Sequence, residues 1–147
     1  MTTKERGMDA GMKEAGAPAM AWLIGLAAWA VPGAGHLLQG RWVRGLLLGG
    51  AVWAMFIAGL LLGGHLFGLG GQEEGINALL RVPPMIANLG AGVPYLYCWA
   101  TETGFAEGAE QAARATFEYG NTFLLVAGLL NYLAMLDAFD IAAGRKS

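Results

Sequence analysis

The chain has 147 residues, of which 56% are apolar, 24 are glycine and only 14% are charged, with a formal net charge of −2. Soluble domains carry about 25% charged residues and about 7% glycine, so a water-facing surface built from this chain would be short of charge. The apolar content excludes disorder, the single Cys98 excludes a disulfide framework, and the charge balance leaves no basic patch for nucleic acid.

The charged residues are absent from four windows: Ala15 to Gly40 (26 residues), Gly45 to Gln72 (28), Val82 to Thr101 (20) and Tyr119 to Leu136 (18). A membrane-spanning helix needs about 20 mainly apolar residues, within a range of roughly 17 to 25. All four windows reach that range, and the first two have no polar stripe at helical spacing. The composition therefore predicts an all-α integral membrane helical protein with about four transmembrane helices, its main partner being the lipid bilayer.

In chain order, residues 1–16 form a polar N-terminal tail carrying three basic and three acidic residues. The apolar run that follows is too long for a cleavable signal and reads as a retained span over about 18–36. Pro32-Gly33-Ala34-Gly35 should break or end that helix, because proline lacks a backbone donor. A tight turn carrying Gly40, Arg41, Trp42 and Arg44 leads into a second span over about 46–68. A third segment over about 84–100 contains Asn88, Gly90, Gly92 and Pro94, so it reads as kinked, or as entering and leaving on one side against protein. A surface amphipathic helix is expected over about 104–118, with Phe105, Ala109, Ala113 and Phe117 on one side. The last span covers about 119–142, and 144–147 form a basic C-terminal tail. Residues 17–143 thus constitute one transmembrane domain. Counting Lys and Arg for four spans gives six on the side of the termini and middle loop against Arg41, Arg44 and Arg114 opposite, which favours the termini in the cytoplasm against the arginine pair of the hairpin turn; for three spans the count is five to four and decides nothing.

Glycine in the second span is ordered. Gly45 and Gly49, Gly59 and Gly63, and Gly64 and Gly68 are each four apart, and Gly50, Ala54 and Ala58 make a further small-residue ridge. In lipid, small residues let helix backbones approach closely, so these ridges predict either packing of the hairpin on itself or a face for another membrane subunit or a second copy. Of the polar residues inside apolar windows, Asn131 reads as an interhelical hydrogen-bond donor. Asp137 and Asp140, three apart, read either as interfacial acids balanced by Arg145 and Lys146 or as a proton or cation pair. His36 and His65 lie near opposite faces, with His65 about 28 Å from the hairpin turn along a continuous helix. They cannot share a metal, and each offers at most a single ligand to a haem or pigment.

Hydrolytic chemistry lacks its parts. The only serine is the terminal Ser147, Cys98 has no histidine in its own segment, and the windows contain no lysine. No cofactor and no catalytic set are expected. The preferred expectation is a non-catalytic scaffold or accessory subunit; the alternatives are a small channel or transporter component using Asp137, Asp140 and Asn131, and a haem- or pigment-binding subunit using His36 or His65.

The run Pro32-Gly33-Ala34-Gly35-His36, followed by Gly40-Arg41-Trp42 and Arg44-Gly45-Leu46, resembles the hairpin of small bacterial membrane proteins of the two-transmembrane-hairpin type. Gly120-Asn121-Thr122-Phe123, Ala127-Gly128-Leu129-Leu130-Asn131, Asp137 and Asp140 add to a likeness with an uncharacterised family of short multi-span proteins. The aspartate-arginine-phenylalanine turn of better-known hairpin domains is absent here. The resemblance implies a multi-pass protein of the bacterial inner membrane and brings no activity with it.

Overall fold

The computed structural model describes residues 19–68, 76–106 and 108–146, and every regular element among them is a helix. The polar tail expected over 1–16 lies outside the described residues. The helices are α1 (Ala19–Ala30), α2 (Ala34–Leu38), α3 (Trp42–Leu61), α4 (Ile76–Leu89), α5 (Val93–Ala100), α6 (Ala109–Ala112) and α7 (Phe117–Ala142).

Two of them, α3 with 20 residues and α7 with 26, are long and apolar enough to cross a membrane. At 1.5 Å per residue they extend about 30 and 39 Å. They run antiparallel: Arg44 at the start of α3 reaches Asp137 near the end of α7. At the other end, Gly59 of α3 lies against Leu124 and the Gly120 carbonyl of α7. Their outward sides are apolar, with Val43, Leu47, Ile57, Leu61, Leu129 and Leu133 all exposed.

The first and third windows are not continuous helices. The expected 18–36 span is interrupted after Ala30, and helix resumes only at Ala34. Pro32 has no N–H to offer the Ala28 carbonyl, and Gly33 takes φ +88°, a left-handed value that carries the chain into a reversal. α1 starts beside Phe139, where the Trp22 and Phe139 rings meet edge to face at 5.0 Å. It ends beside Asn131, eight residues earlier on α7, a drop of about 12 Å. α2 then returns, bringing His36 to Asp137 and Gln39 to Ala138. The pair α1–α2 is therefore a re-entrant hairpin that begins and finishes at the Asp137 end, and the Arg41–Arg44 turn lies on the same side as the start of α1.

The expected 84–100 segment begins earlier, at Ile76, and is divided at Gly90–Gly92 into α4 and α5. Pro94 explains part of the division, since it cannot donate to the Gly90 carbonyl. Gly92, at φ +72°, presses on the Trp29 and Ala30 carbonyls at the end of α1, where a side chain would clash. α5 continues from that meeting point towards the opposite end, where the Tyr95 hydroxyl donates to the Phe67 carbonyl at 2.9 Å. α1 and α5 thus stand in series, one ending and the other starting at that meeting point.

Other boundaries also shift. α3 stops at Leu61, so the expected helix through 68 does not form. Gly63 N–H donates to the Leu60 carbonyl and Gly64 N–H to the Gly59 carbonyl, with Gly63 at φ +84°. This paired capping pattern ends a helix through one left-handed residue. The surface helix expected over 104–118 shortens to the four residues of α6, because Gly104 turns at φ +82° and 113–116 form a turn before α7.

Packing differs between the two halves. Towards the His65 end, Val52, Phe56, Leu66, Ala91, Tyr95, Cys98, Leu124 and Ala127 form a side-chain core. Around the re-entrant hairpin the interior is built from Ala21, Ala28, Gly33, Gly35, Gly45, Gly49, Ala134 and Ala138, so backbones meet almost directly.

Candidate functional site

The two helix breaks meet beside Asn131, close to the middle of α7. A helix end leaves carbonyls without intrahelical donors, and in an apolar interior such groups need a partner. Asn131 Nδ2 donates at 2.9 Å both to the Trp29 carbonyl at the end of α1 and to the Gly90 carbonyl after α4. The Trp29 indole Nε1 donates in turn to the Leu89 carbonyl at 3.2 Å. Three hydrogen bonds therefore join two breaks that are about sixty residues apart in sequence. Gly128 allows this approach, because it lies directly on the Ala87 carbonyl.

Asn88 occupies the last turn of α4, two residues before Gly90. It is 0% exposed, as is Asn131. Neither amide atom of Asn88, nor Asn131 Oδ1, has a hydrogen-bond partner among the described residues. In the sequence Asn88 signals only irregularity in the third segment. Its signal was nonetheless the same as that of Asn131, a carboxamide within an uncharged window.

A second cluster lies at the Asp137 end. Asp137 Oδ2 accepts from His36 Nε2 at 2.9 Å and from Arg44 Nη1 at 3.3 Å, while its Oδ1 meets Lys146 Nζ at 3.0 Å. Asp140 pairs with Arg145 at 3.3 Å. Gln39 Nε2 donates to the Gly35 and Ala138 carbonyls and ties α2 to α7. His36 is fully buried, whereas Asp137 retains a quarter of its side-chain exposure. The two aspartates thus point into separate cationic partnerships.

His65 sits at the opposite end, on the non-helical segment after α3 rather than inside a span. Its backbone N–H donates to Asn121 Oδ1 at 2.7 Å, and its ring meets Phe67 edge to face. The same segment is secured by Leu66 N–H to the Gly104 carbonyl and by Thr116 Oγ1 to the Leu62 carbonyl. Asn121 and Asp137, the α7 partners of the two histidines, are sixteen residues apart, about 24 Å along the helix. Among the described residues, no three His, Cys, Asp or Glu side chains group to hold a metal ion.

The glycine ridges separate into inner and outer members. Gly45 and Gly49 contact Gly33 and Pro32, Gly59 and Gly64 contact Gly120, and Gly68 contacts Phe105. Gly63 faces the Arg114 side chain at 3.7 Å, while Gly50 has open space where a Cβ would stand and Ala54 is exposed.

Residues 23–147 match the model of a family of unknown function, DUF6677, and the chain belongs to that family. No match was found among curated proteins or among solved structures.

Proposed function

We propose that this DUF6677 protein is a non-catalytic multi-pass membrane protein that handles a small polar solute at the junction of its two helix breaks, as a channel or transporter component. The observation that carries the reading is the double donation from Asn131 to the Trp29 and Gly90 carbonyls. Breaks in a helix at membrane depth are tolerated where protein covers them or where they border a polar cavity. Broken helices whose ends meet near the bilayer centre are a recurrent way of building transport sites. In this reading the expected four spans become two continuous ones, α3 and α7, and one traverse shared by α1 and α5.

The residue assignment moves as well. Asp137 and Asp140 are held by His36, Arg44, Lys146 and Arg145 at one end, so they serve as an interfacial anchor. Asn131 and Asn88 take the solute-facing role. The test is stopped-flow light scattering of proteoliposomes under gradients of urea, glycerol and potassium salt. A solute-dependent rate above that of protein-free vesicles, reduced by Asn131→Leu, is expected. Rates equal to those of empty vesicles for every solute would remove the transport reading.

A second reading, the membrane scaffold or accessory subunit, is favoured by Gly50 and Ala54, which leave a smooth strip on an otherwise bulky outer face of α3. Loss of a co-purifying partner, or of self-association, in Gly50→Leu with the fold intact would support it.

A further inference from the structure

The buried carboxamides at the junction of the helix breaks point to a ligand, and their chemistry narrows its class. Asn88 is 0% exposed, and no described protein group bonds to its Nδ2 or its Oδ1. Asn131 uses its Nδ2 twice and leaves Oδ1 without a protein partner. Enclosing an unpaired amide in apolar surroundings is a heavy penalty, and side chains buried this way are normally satisfied by protein, ordered water or ligand. At Asn88, leucine would be the cheaper residue unless a hydrogen-bonding molecule were held there.

Asn88 stands in the same turn as the carbonyls held at the junction. Asn88, Leu89 and Gly90 are consecutive; Leu89 accepts from Trp29 and Gly90 accepts from Asn131. Gly92, two residues further on, caps α5 without a side chain.

We propose that this junction is a binding site for a small uncharged hydrogen-bonding molecule, of which water is the smallest member, recognised by the Asn88 carboxamide and by Asn131 Oδ1. The site offers a donor and two acceptors, which matches a ligand that both gives and takes hydrogen bonds. It offers no countercharge: α1, α2, α5 and α7 from Tyr119 to Leu136 contain no Asp, Glu, Lys or Arg, and Arg81 lies seven residues before Asn88 on α4. A buried cation would require a carboxylate or a full cage of oxygens, and the carbonyls of Trp29 and Gly90 already accept from Asn131. The ligand must also be small, because Gly90, Gly92 and Gly128 are closely approached by neighbouring backbone. This inference rests on the solute-handling reading above and specifies what that site takes.

The test uses full-length protein labelled with ¹⁵N at asparagine and reconstituted in bilayers, observed by solid-state NMR. Signals of Asn88 and Asn131 are assigned by their disappearance in Asn88→Leu and Asn131→Leu, and Asn121 serves as the control at the His65 end. Magnetisation transfer from water to both side-chain amides is expected, as fast as transfer to Asn121. A second arm adds ¹³C-urea: transfer from urea to the same amides identifies a solute larger than water, and transfer from water alone identifies water as the occupant. Silent amides in both arms would overturn the proposal, as would shifts of both amides on adding sodium or potassium. Absence of solute flux with responsive amides would remove the transport function and keep the site; flux with silent amides would do the reverse.

Discussion

Asn131 is the residue whose removal should be felt most directly, because one side chain serves two carbonyls exposed by helix breaks. Interhelical hydrogen bonds in membrane proteins contribute about 0.6 kcal/mol on average and up to about 1.7. Asn131→Leu is therefore expected to lower stability by roughly 1 to 3 kcal/mol, read by denaturant titration in mixed micelles. An unchanged midpoint would mean that the breaks are held together by packing alone. Glu102 gives the opposite case. It follows α5 at φ 55°, the described non-glycine residue with positive φ, and its N–H donates to the Trp99 carbonyl in the same capping pattern that glycine serves after α3. Left-handed backbone costs a residue with a Cβ about 1 kcal/mol, so Glu102→Gly is expected to raise stability by about that amount. A fall in the thermal midpoint would contradict the capping account.

At the scale of elements, the glycines of α3 divide by direction rather than by spacing. Gly49 faces Pro32 and Gly33, and a side chain there collides with backbone; Gly50, its neighbour in sequence, meets nothing within 4 Å. Gly49→Leu should dislodge the re-entrant hairpin and yield aggregated protein on size exclusion, whereas Gly50→Leu should stay folded and free of aggregate. Equal behaviour of the two variants would mean that α1–α2 does not pack on α3 as described. The four-residue spacing of Gly45 and Gly49, or of Gly59 and Gly63, announces that a close approach exists without saying to what. Here the approach is internal for Gly45, Gly49 and Gly59, and Gly59→Leu would strike Leu124 before it could affect any partner. The helix stops are easier to read. Pro32 with Gly33 and Gly92 with Pro94 carry their own physics, a missing donor beside a left-handed residue, and both breaks occur where those residues stand.

At the scale of the molecule, the re-entrant course of α1 and α2 changes the charge count. Arg41 and Arg44 stand at the same end as Arg145 and Lys146, and α1 starts there, following Lys4, Arg6 and Lys13 in sequence. The opposite end has Arg114, at the turn before α7 and beside Gly63. A linear four-span reading sets the hairpin arginines against the termini; the folded chain puts them together and removes the conflict. The expected orientation has the Asp137 end in the cytoplasm. With Cys98 replaced by alanine, single cysteines at Arg41 and Ala143 should react with a membrane-impermeant reagent from the same face of oriented vesicles, and one at Ala113 from the other face. Opposite labelling of Arg41 and Ala143 would refute the re-entrant hairpin.

The sequence by itself determined that the chain is helical, that it holds long apolar helices, and that helices break at Pro32–Gly33 and within Gly90–Pro94. Those follow from charge-free length, from proline's missing donor and from glycine's tolerance of positive φ, all of which are local. The stop of α3 at Leu61 and the shortening of the 104–118 helix it did not give. Only the tertiary structure decided that the first window turns back halfway, that His36 finds Asp137 a hundred residues away, and that Asn131 joins two breaks. A broken helix can go on across or turn back with the same local residues. The choice is made by what waits at the break, here an α7 carboxamide and a glycine face on α3, and contacts between distant segments leave no period in the sequence.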